Sequence, residues 1–347
     1  MRIAAIDIGT NSVHMIVVRV RPDLSFEMID REKAMVRLGA GGLDGRALTP
    51  EAMSAALQAL SKFKRIADSH QVDEILAAAT SATREARNGG EFLARLESET
   101  GIRPRVISGV EEARLIHQAA VYGVDVGGGR AVVIDIGGGS VEITLGTVSS
   151  LQLARSFKIG TIRLTERFVR SDPLSERDER KIVKHVLGEI DRYCEQILAA
   201  GFDRVIGTSG TILSIGAVAA TAARGAAPAE LRNLHVAVKQ IRRVRRQVAE
   251  LDLVPALLTA DDKLLPVANH GSYVAVAAPG VDIFVAAPGG GYEFTTGTSV
   301  ATAHVSGLAA LLIARNPGLT PDAVQSILMK TAKDRSGSPR SGPPEDY

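Results

Sequence analysis

Residues 131–146 read AVVIDIGGGSVEITLG: an apolar run ending at Asp135, three glycines, the hydroxyl of Ser140, and a second alternating run that carries Glu142. The pattern predicts a strand, a tight turn and a returning strand. A near twin opens the chain, where residues 3–20, IAAIDIGTNSVHMIVVRV, pass from a strand to Asp7, a glycine, hydroxyls and another strand. In each copy the first strand delivers an aspartate to a turn whose small residues let backbone N–H groups approach an anion, with Thr10, Ser12 and Ser140 as hydroxyl donors. One such unit alone reads equally well as a hairpin with a glycine-rich turn. Its repetition predicts two facing half-sites suited to phosphate.

The chain has 347 residues, 45% of them hydrophobic, enough for two or three domains with cores of their own. A net charge of +2 with 23% charged residues makes no general case for nucleic acid or a membrane surface. The single cysteine, Cys194, excludes an internal disulfide framework and a cysteine-based metal cluster; it falls in a helical pattern as a packing residue. A reducing interior is therefore the expected compartment. The chain starts directly on a strand, shows no basic-then-apolar leader, and has no uninterrupted apolar run of about 18 residues. The expected location is cytoplasmic, with no membrane partner.

Outward from the two loops, residues 26–38 predict a third strand ending in Gly39, Gly41 and Gly42, and Thr49-Pro50-Glu51 predicts the start of a helix reaching to about residue 69. A buried strand over 72–79 leads to Thr80-Ser81-Ala82-Thr83-Arg84, which either binds phosphate or caps the next helix. After a short strand at 105–107, Ser108 and Glu111 fit a capping box. That leaves Glu112 either as a first-turn acid favoured by the helix dipole or as a base facing a cleft. The second half repeats the plan: strands at 131–136, 141–147 and 150–156, helices at 160–169 and 175–200, and a strand at 203–207. That strand runs into Gly207-Thr208-Ser209-Gly210-Thr211, a third candidate anion cradle. Residues 217–230, rich in alanine, predict a helix end and a loop. Over 236–251, Lys239, Arg242, Arg243, Arg245 and Arg246 surround a stripe of Val238, Ile241, Val244 and Val248, either a solvated face or a polyanion contact.

With these residues collected, residues 1 to about 255 resemble the exopolyphosphatase and guanosine pentaphosphate phosphohydrolase family. AIDIGTNSVHMIV, TSATREARN, ISGVEEARLI, VIDIGGGSVEI and GTSGTI occur in the family's order. The resemblance implies an α/β fold of the actin, Hsp70 and sugar-kinase superfamily: two ribonuclease-H-like domains, residues 1–124 and a truncated 125–255, with the active site in the cleft between them. It implies Mg²⁺-dependent hydrolysis of phosphoanhydride bonds in inorganic polyphosphate or guanosine pentaphosphate, and a homodimer. By motif position, Glu112 would be the general base. Asp7 and Asp135 would hold the metal or its waters, with Glu142 near the metal and the nucleophile. Gly9, Thr10, Asn11, Ser12, Arg84, Gly137, Gly138, Gly139, Ser140, Ser209 and Gly210 would line the phosphate channel.

Beyond residue 255 the resemblance breaks off: the family's arginine-alanine-aspartate segment and the closing strand and helix of its second domain are absent. Residues 256–334 instead resemble the C-terminal part of a subtilisin-like serine protease, a partial α/β segment in which GTSVATAHVSG puts the would-be nucleophile at Ser299. A serine nucleophile needs a base and oxyanion donors, and the protease's aspartate and histidine motifs have no counterpart here. His270 and Asn269 fall in the wrong places, and the resemblance makes His304 a packing residue. The alternatives to a phosphohydrolase are thus a serine hydrolase completed by another chain, or a non-catalytic polyphosphate- or nucleotide-binding module. Residues 276–280 and 285–289 are near-repeats that predict neighbouring β segments. The helix over 298–313 lacks the sheet that buries it in the protease, so it must pack on the first part, oligomerise or stay partly disordered. Residues 335–347 predict a disordered tail.

Overall fold

The structure, a computed structural model, describes residues 1–170, 174–224, 228, 231, 233–249, 256–258, 276–281, 283–286, 292–295, 298–316 and 318–332. It divides into two compact units, residues 1–170 with 175–244, and residues 171–174 with 245–347.

The larger unit holds two sheets. The first is built from β1 (Arg2–Ile8), β2 (Ser12–Val20), β3 (Phe26–Met35), β4 (Glu74–Ala79) and β5 (Arg105–Val106), with helices α1 (Pro50–Ser69), α2 (Ser81–Glu85) and α3 (Gly89–Thr100) along the way. Its order is β3-β2-β1-β4-β5. The first three strands are antiparallel, whereas β4 and β5 run parallel to β1. Alternation along β1 sends Ala4, Ile6 and Ile8 into a core with Leu57, Leu60, Phe63, Phe92 and Leu96. Asp7 therefore stands on the other face. Thr49 caps α1 by accepting from the Ala52 amide, as its position before Pro50 predicts.

The second sheet repeats the first with one strand fewer. After α4 (Gly109–Gly123) come β6 (Ala131–Ile136), β7 (Val141–Gly146), β8 (Leu151–Phe157), α5 (Thr161–Phe168), α6 (Glu176–Ala200), β9 (Arg204–Thr208) and α7 (Ser209–Arg224). The order is β8-β7-β6-β9, with β6-β7-β8 antiparallel and β9 parallel to β6. Val132, Ile143, Leu145, Phe157, Tyr193 and Ile197 form its core.

Helix α4 leaves the first sheet and packs on the second. Buried His117 bonds Thr144 Oγ1 through Nδ1 (2.8 Å), and a side chain at Gly109 would strike Ser156 at 2.6 Å. Half of the expected capping box forms at its start. Ser108 Oγ accepts from the Glu111 amide, but the Glu111 carboxylate turns to Arg105 (2.6 Å), an ion pair that outcompetes the reciprocal bond. Helix α7 reaches further into the alanine-rich stretch than expected, since alanine favours helix. On α8 (Val238–Ala249), Val244 is buried while Val238 and Ile241 are exposed, so the predicted apolar stripe is covered at one point only among its described side chains.

The smaller unit contains β10 (Ala256–Leu258), β11 (Ala277–Pro279), β12 (Ile283–Ala286), β13 (Tyr292–Thr295), α9 (Thr298–Arg315) and α10 (Pro321–Thr331). The two near-repeat segments, expected to be neighbours, join separate sheets. Strand β11 pairs parallel with β10, and β12 antiparallel with β13. Proline 279 ends β11 after three residues, too short a run to propagate a wider ladder. Helix α9 finds its cover on β10, β11 and α10, with Ala301 and Ala278 at the contact, and leaves Leu308 and Leu311 exposed. His304, expected in packing, is exposed and bonds the Val300 carbonyl through Nδ1 (3.1 Å). The junction at 250–255, Asn269, His270 and the tail lie outside the described residues.

Candidate active site

The β1–β2 and β6–β7 turns are built alike. Gly9 N donates to Ser12 O (3.1 Å) and Gly137 N to Ser140 O (3.0 Å). A Cβ on Gly138 would sit 3.2 Å from the Asn11 Cβ, and one on Gly139 would lie 2.7 Å from Thr10 Oγ1 and 2.6 Å from Ser81 Oγ. These glycines thus serve a second purpose besides anion approach: they let the two loops come together. The loops bound a cleft of about 570 Å³.

Asp7, Glu112, Asp135, Glu142, Gly9, Thr10, Asn11, Ser12, Gly137, Gly138, Gly139, Ser140, Ser209 and Gly210 all line that cleft. Arg84 does not. Its Nη1 donates instead to Glu112 Oε2 (3.1 Å) and to the Ile107 carbonyl (2.8 Å), so it reaches the cleft only through Glu112. Thr80 has no capping bond to α2, and it too lines the cleft. Ser299 belongs to the smaller unit, in the first turn of α9.

Each of the four carboxylates is less acidic than usual. Asp7 is pushed up to about 7, first by burial and then by the charges of Glu112 and Asp135. It keeps accessible surface although protein surrounds it, as a side chain on the floor of an open cleft does. Glu142, 2% exposed, is raised to about 7 by burial and by Glu112, against hydrogen bonds from Ser156 (2.6 Å) and Ser140. Burial also raises Asp135, although Thr208 Oγ1 donates to it at 2.7 Å. For Glu112 burial outweighs the opposing Arg84 charge. Four acids crowded this way leave negative charge that the Arg84 guanidinium and the cleft-lining Lys33 balance only in part. Among the described residues no group of three or more His, Cys, Asp or Glu side chains forms a ready metal cage. The donor set is one of oxygens from separate loops, which suits a hard cation that keeps waters and takes phosphate oxygens.

Thr211 of the third candidate anion cradle lines the cleft as well, and His14, Lys33, Met35, Thr161 and Ser214 also line it and escaped the sequence reading. His14 faces Lys33 across the β2–β3 ladder, and burial together with Lys33 and Arg31 lowers its pKa. Strand alternation could have found both, since each stands in the transverse row that begins at Asp7. Ser209 holds a left-handed φ of 72° while its hydroxyl bonds the Ile136 carbonyl, a strain that composition does not reveal.

Two repeated α/β lobes closing acidic and glycine-hydroxyl loops around one cleft define a phosphate-handling enzyme class. The Ppx/GppA phosphatase family model matches residues 16–256, and the chain belongs to that family. Exopolyphosphatase 1 of Mycobacterium leprae is 32% identical over 237 residues, 68% of this chain and 70% of the relative. The crystal structure of an exopolyphosphatase from Cytophaga hutchinsonii is 31% identical with a TM-score of 0.66, covering 72% of this chain and 80% of that one. An Aquifex aeolicus Ppx/GppA family structure gives 28% identity and a TM-score of 0.58, over 72% and 79% of the two chains. The subtilase family model matches residues 178–343, overlapping the first match. No helix among the described residues is long and apolar enough to cross a membrane.

Proposed function

We propose that this chain hydrolyses phosphoanhydride bonds of inorganic polyphosphate or guanosine pentaphosphate, with Glu112 as the base that takes a proton from the attacking water. The observation that carries the reading is the convergence of Asp7, Glu112, Asp135 and Glu142 with both glycine loops on one cleft. Backbone amides and the hydroxyls of Thr10 and Ser12 bind the terminal phosphate, the Ser140 hydroxyl being given to Glu142. Glu112, drawn up by burial and held at 3.1 Å by Arg84, has a basicity nearer neutrality than a free glutamate and a fixed direction of attack. Asp7 and Asp135 would hold a Mg²⁺ ion, with Glu142 beside it; the excess negative charge fits such a cation. When bound it would neutralise charge on the transferred phosphoryl group. Relatives named exopolyphosphatase support the substrate class. A homodimer and a cytoplasmic location accompany this reading.

Purified protein incubated with Mg²⁺ and medium-chain polyphosphate, or with guanosine pentaphosphate, should release phosphate. Glu112→Gln should lower the rate by about 10²–10⁴-fold. Equal rates in the two proteins would remove Glu112 from its role, and no release from the wild type would leave a binding module. The subtilase match favours a peptidase at Ser299 only by ancestry, since the protease's aspartate and histidine motifs have no counterpart in the sequence.

A further inference from the structure

The glycines of the β6–β7 turn present their carbonyls to a single element. Thr161 N donates to Gly137 O (2.9 Å), Ile162 N to Gly138 O (2.9 Å), and Gly160 N to Gly139 O (3.4 Å). A trans peptide points its N–H opposite its C=O, so the amides of Gly138, Gly139 and Ser140 turn away from α5. All three residues line the cleft.

Arg163, in the first turn of α5, reinforces this arrangement. Its Nε donates to the Gly139 carbonyl at 3.0 Å, and its side chain is 3% exposed. The rest of the guanidinium reaches the first lobe: Nη2 lies 3.1 Å from both oxygens of Glu85 on α2, and Nη1 bonds Asp44 in the β3–α1 connection. Glu85 also accepts from Ser81 (3.0 Å) and pairs with Lys158 (3.0 Å). Burial opposes its ionisation, yet Lys158, Arg163 and Ser81 together hold it below the usual glutamate range. One turn further on α5, Glu166 accepts from the Gly41 amide (2.8 Å) in the same connection.

We propose that Arg163 is a positioning residue for phosphate capture: it fixes the Gly139–Ser140 peptide with its N–H toward the cleft and, through Glu85 and Asp44, holds the two anion loops at one separation. This rests on the phosphate reading of the cleft. Lysine cannot replace the planar fork, because its three donors leave a single nitrogen, whereas Arg163 reaches the Gly139 carbonyl, Asp44 and Glu85 from three separate nitrogens. Arg163 itself is behind the loop and outside the cleft lining.

The test is calorimetric titration of inorganic phosphate, with Mg²⁺ present, and of Mg²⁺ alone, into the wild type and Arg163→Lys. Phosphate binding should weaken by about tenfold, the loss of one charge-assisted hydrogen bond, while Mg²⁺ affinity holds. Unchanged phosphate affinity in a folded Arg163→Lys, or an equal loss of both affinities, would overturn the proposal. Should that variant not fold, Glu85→Gln keeps the guanidinium but removes its bidentate partner. Weaker phosphate binding is expected there, and wild-type affinity would overturn the proposal. A wild type that binds no phosphate overturns both readings. Phosphate binding without hydrolysis overturns only the proposed reaction, and the ratio of affinities still decides the role of Arg163.

Discussion

At the scale of single residues, the tension in this protein is among Asp7, Glu112, Asp135 and Glu142. Their proximity costs the native state free energy when all are ionised, because burial and mutual repulsion favour the protonated forms. Glu142 makes the point measurable. Its native pKa of about 7 exceeds its unfolded value near 4.5, so the folded state binds more protons and loses stability as pH rises from about 4.5 through 7. Glu142→Gln should therefore be more stable than the wild type at pH 8 by roughly 1–3 kcal/mol in urea titrations of metal-free protein, and the gap should close near pH 4. Mg²⁺ should raise the Tm of the wild type at pH 8 and raise that of the variant less. A variant less stable than the wild type at pH 8 would show that the Ser156–Glu142 bond outweighs the buried charge. Sequence motifs pointed to these four residues, and the capping-box position of Glu111 already set it apart from Glu112. The structure adds the ion pair of Glu111 with Arg105 on one side and the cleft beside Glu112 on the other.

At the scale of elements, α4 and α5 set the site. Helix α4 starts where the first sheet ends and lies on the second, which carries Glu112 from one lobe to the cleft wall. Ser108→Ala should cost about 1 kcal/mol through the lost cap on the Glu111 amide, with a fall in kcat as Glu112 loosens. Helix α5 needs a glycine before it. A Cβ at Gly160 would lie 2.4 Å from the Gly138 carbonyl, backbone that cannot step aside. Gly160→Ala should destabilise by about 1–3 kcal/mol and depress phosphate release. Gly90→Ala on α3, with open space around it, should be neutral or stabilise by about 0.5–1 kcal/mol. Thermal unfolding of the two variants side by side checks the contrast. The caps of α1 and α4 were legible because each is a contact within four residues. The fate of β11 and β12 was not, because strand partners lie at any distance along the chain.

At the scale of the whole molecule, every cleft residue belongs to the larger unit, which has hydrophobic cores in both of its lobes. If the proposed reaction holds, a chain ending at residue 255 should release phosphate in the presence of Mg²⁺ at the rate of the full chain, measured at equal concentration. A fluorophosphonate probe should leave Ser299 unlabelled in both the native and the Mg²⁺-loaded protein. What the sequence determined by itself was local or repeated: the two strand–aspartate–glycine loops, the helix starts, the acids of the family motifs and the break near residue 255. These depend on residues close together in the chain, where steric and hydrogen-bonding preferences act without help. The tertiary structure alone decided which acids meet, that Arg84 serves Glu112 rather than the cleft lining, and that buried Arg163 joins the lobes. Those outcomes are set by burial and by charge across tens of residues, energies that exist only once the chain has closed on itself.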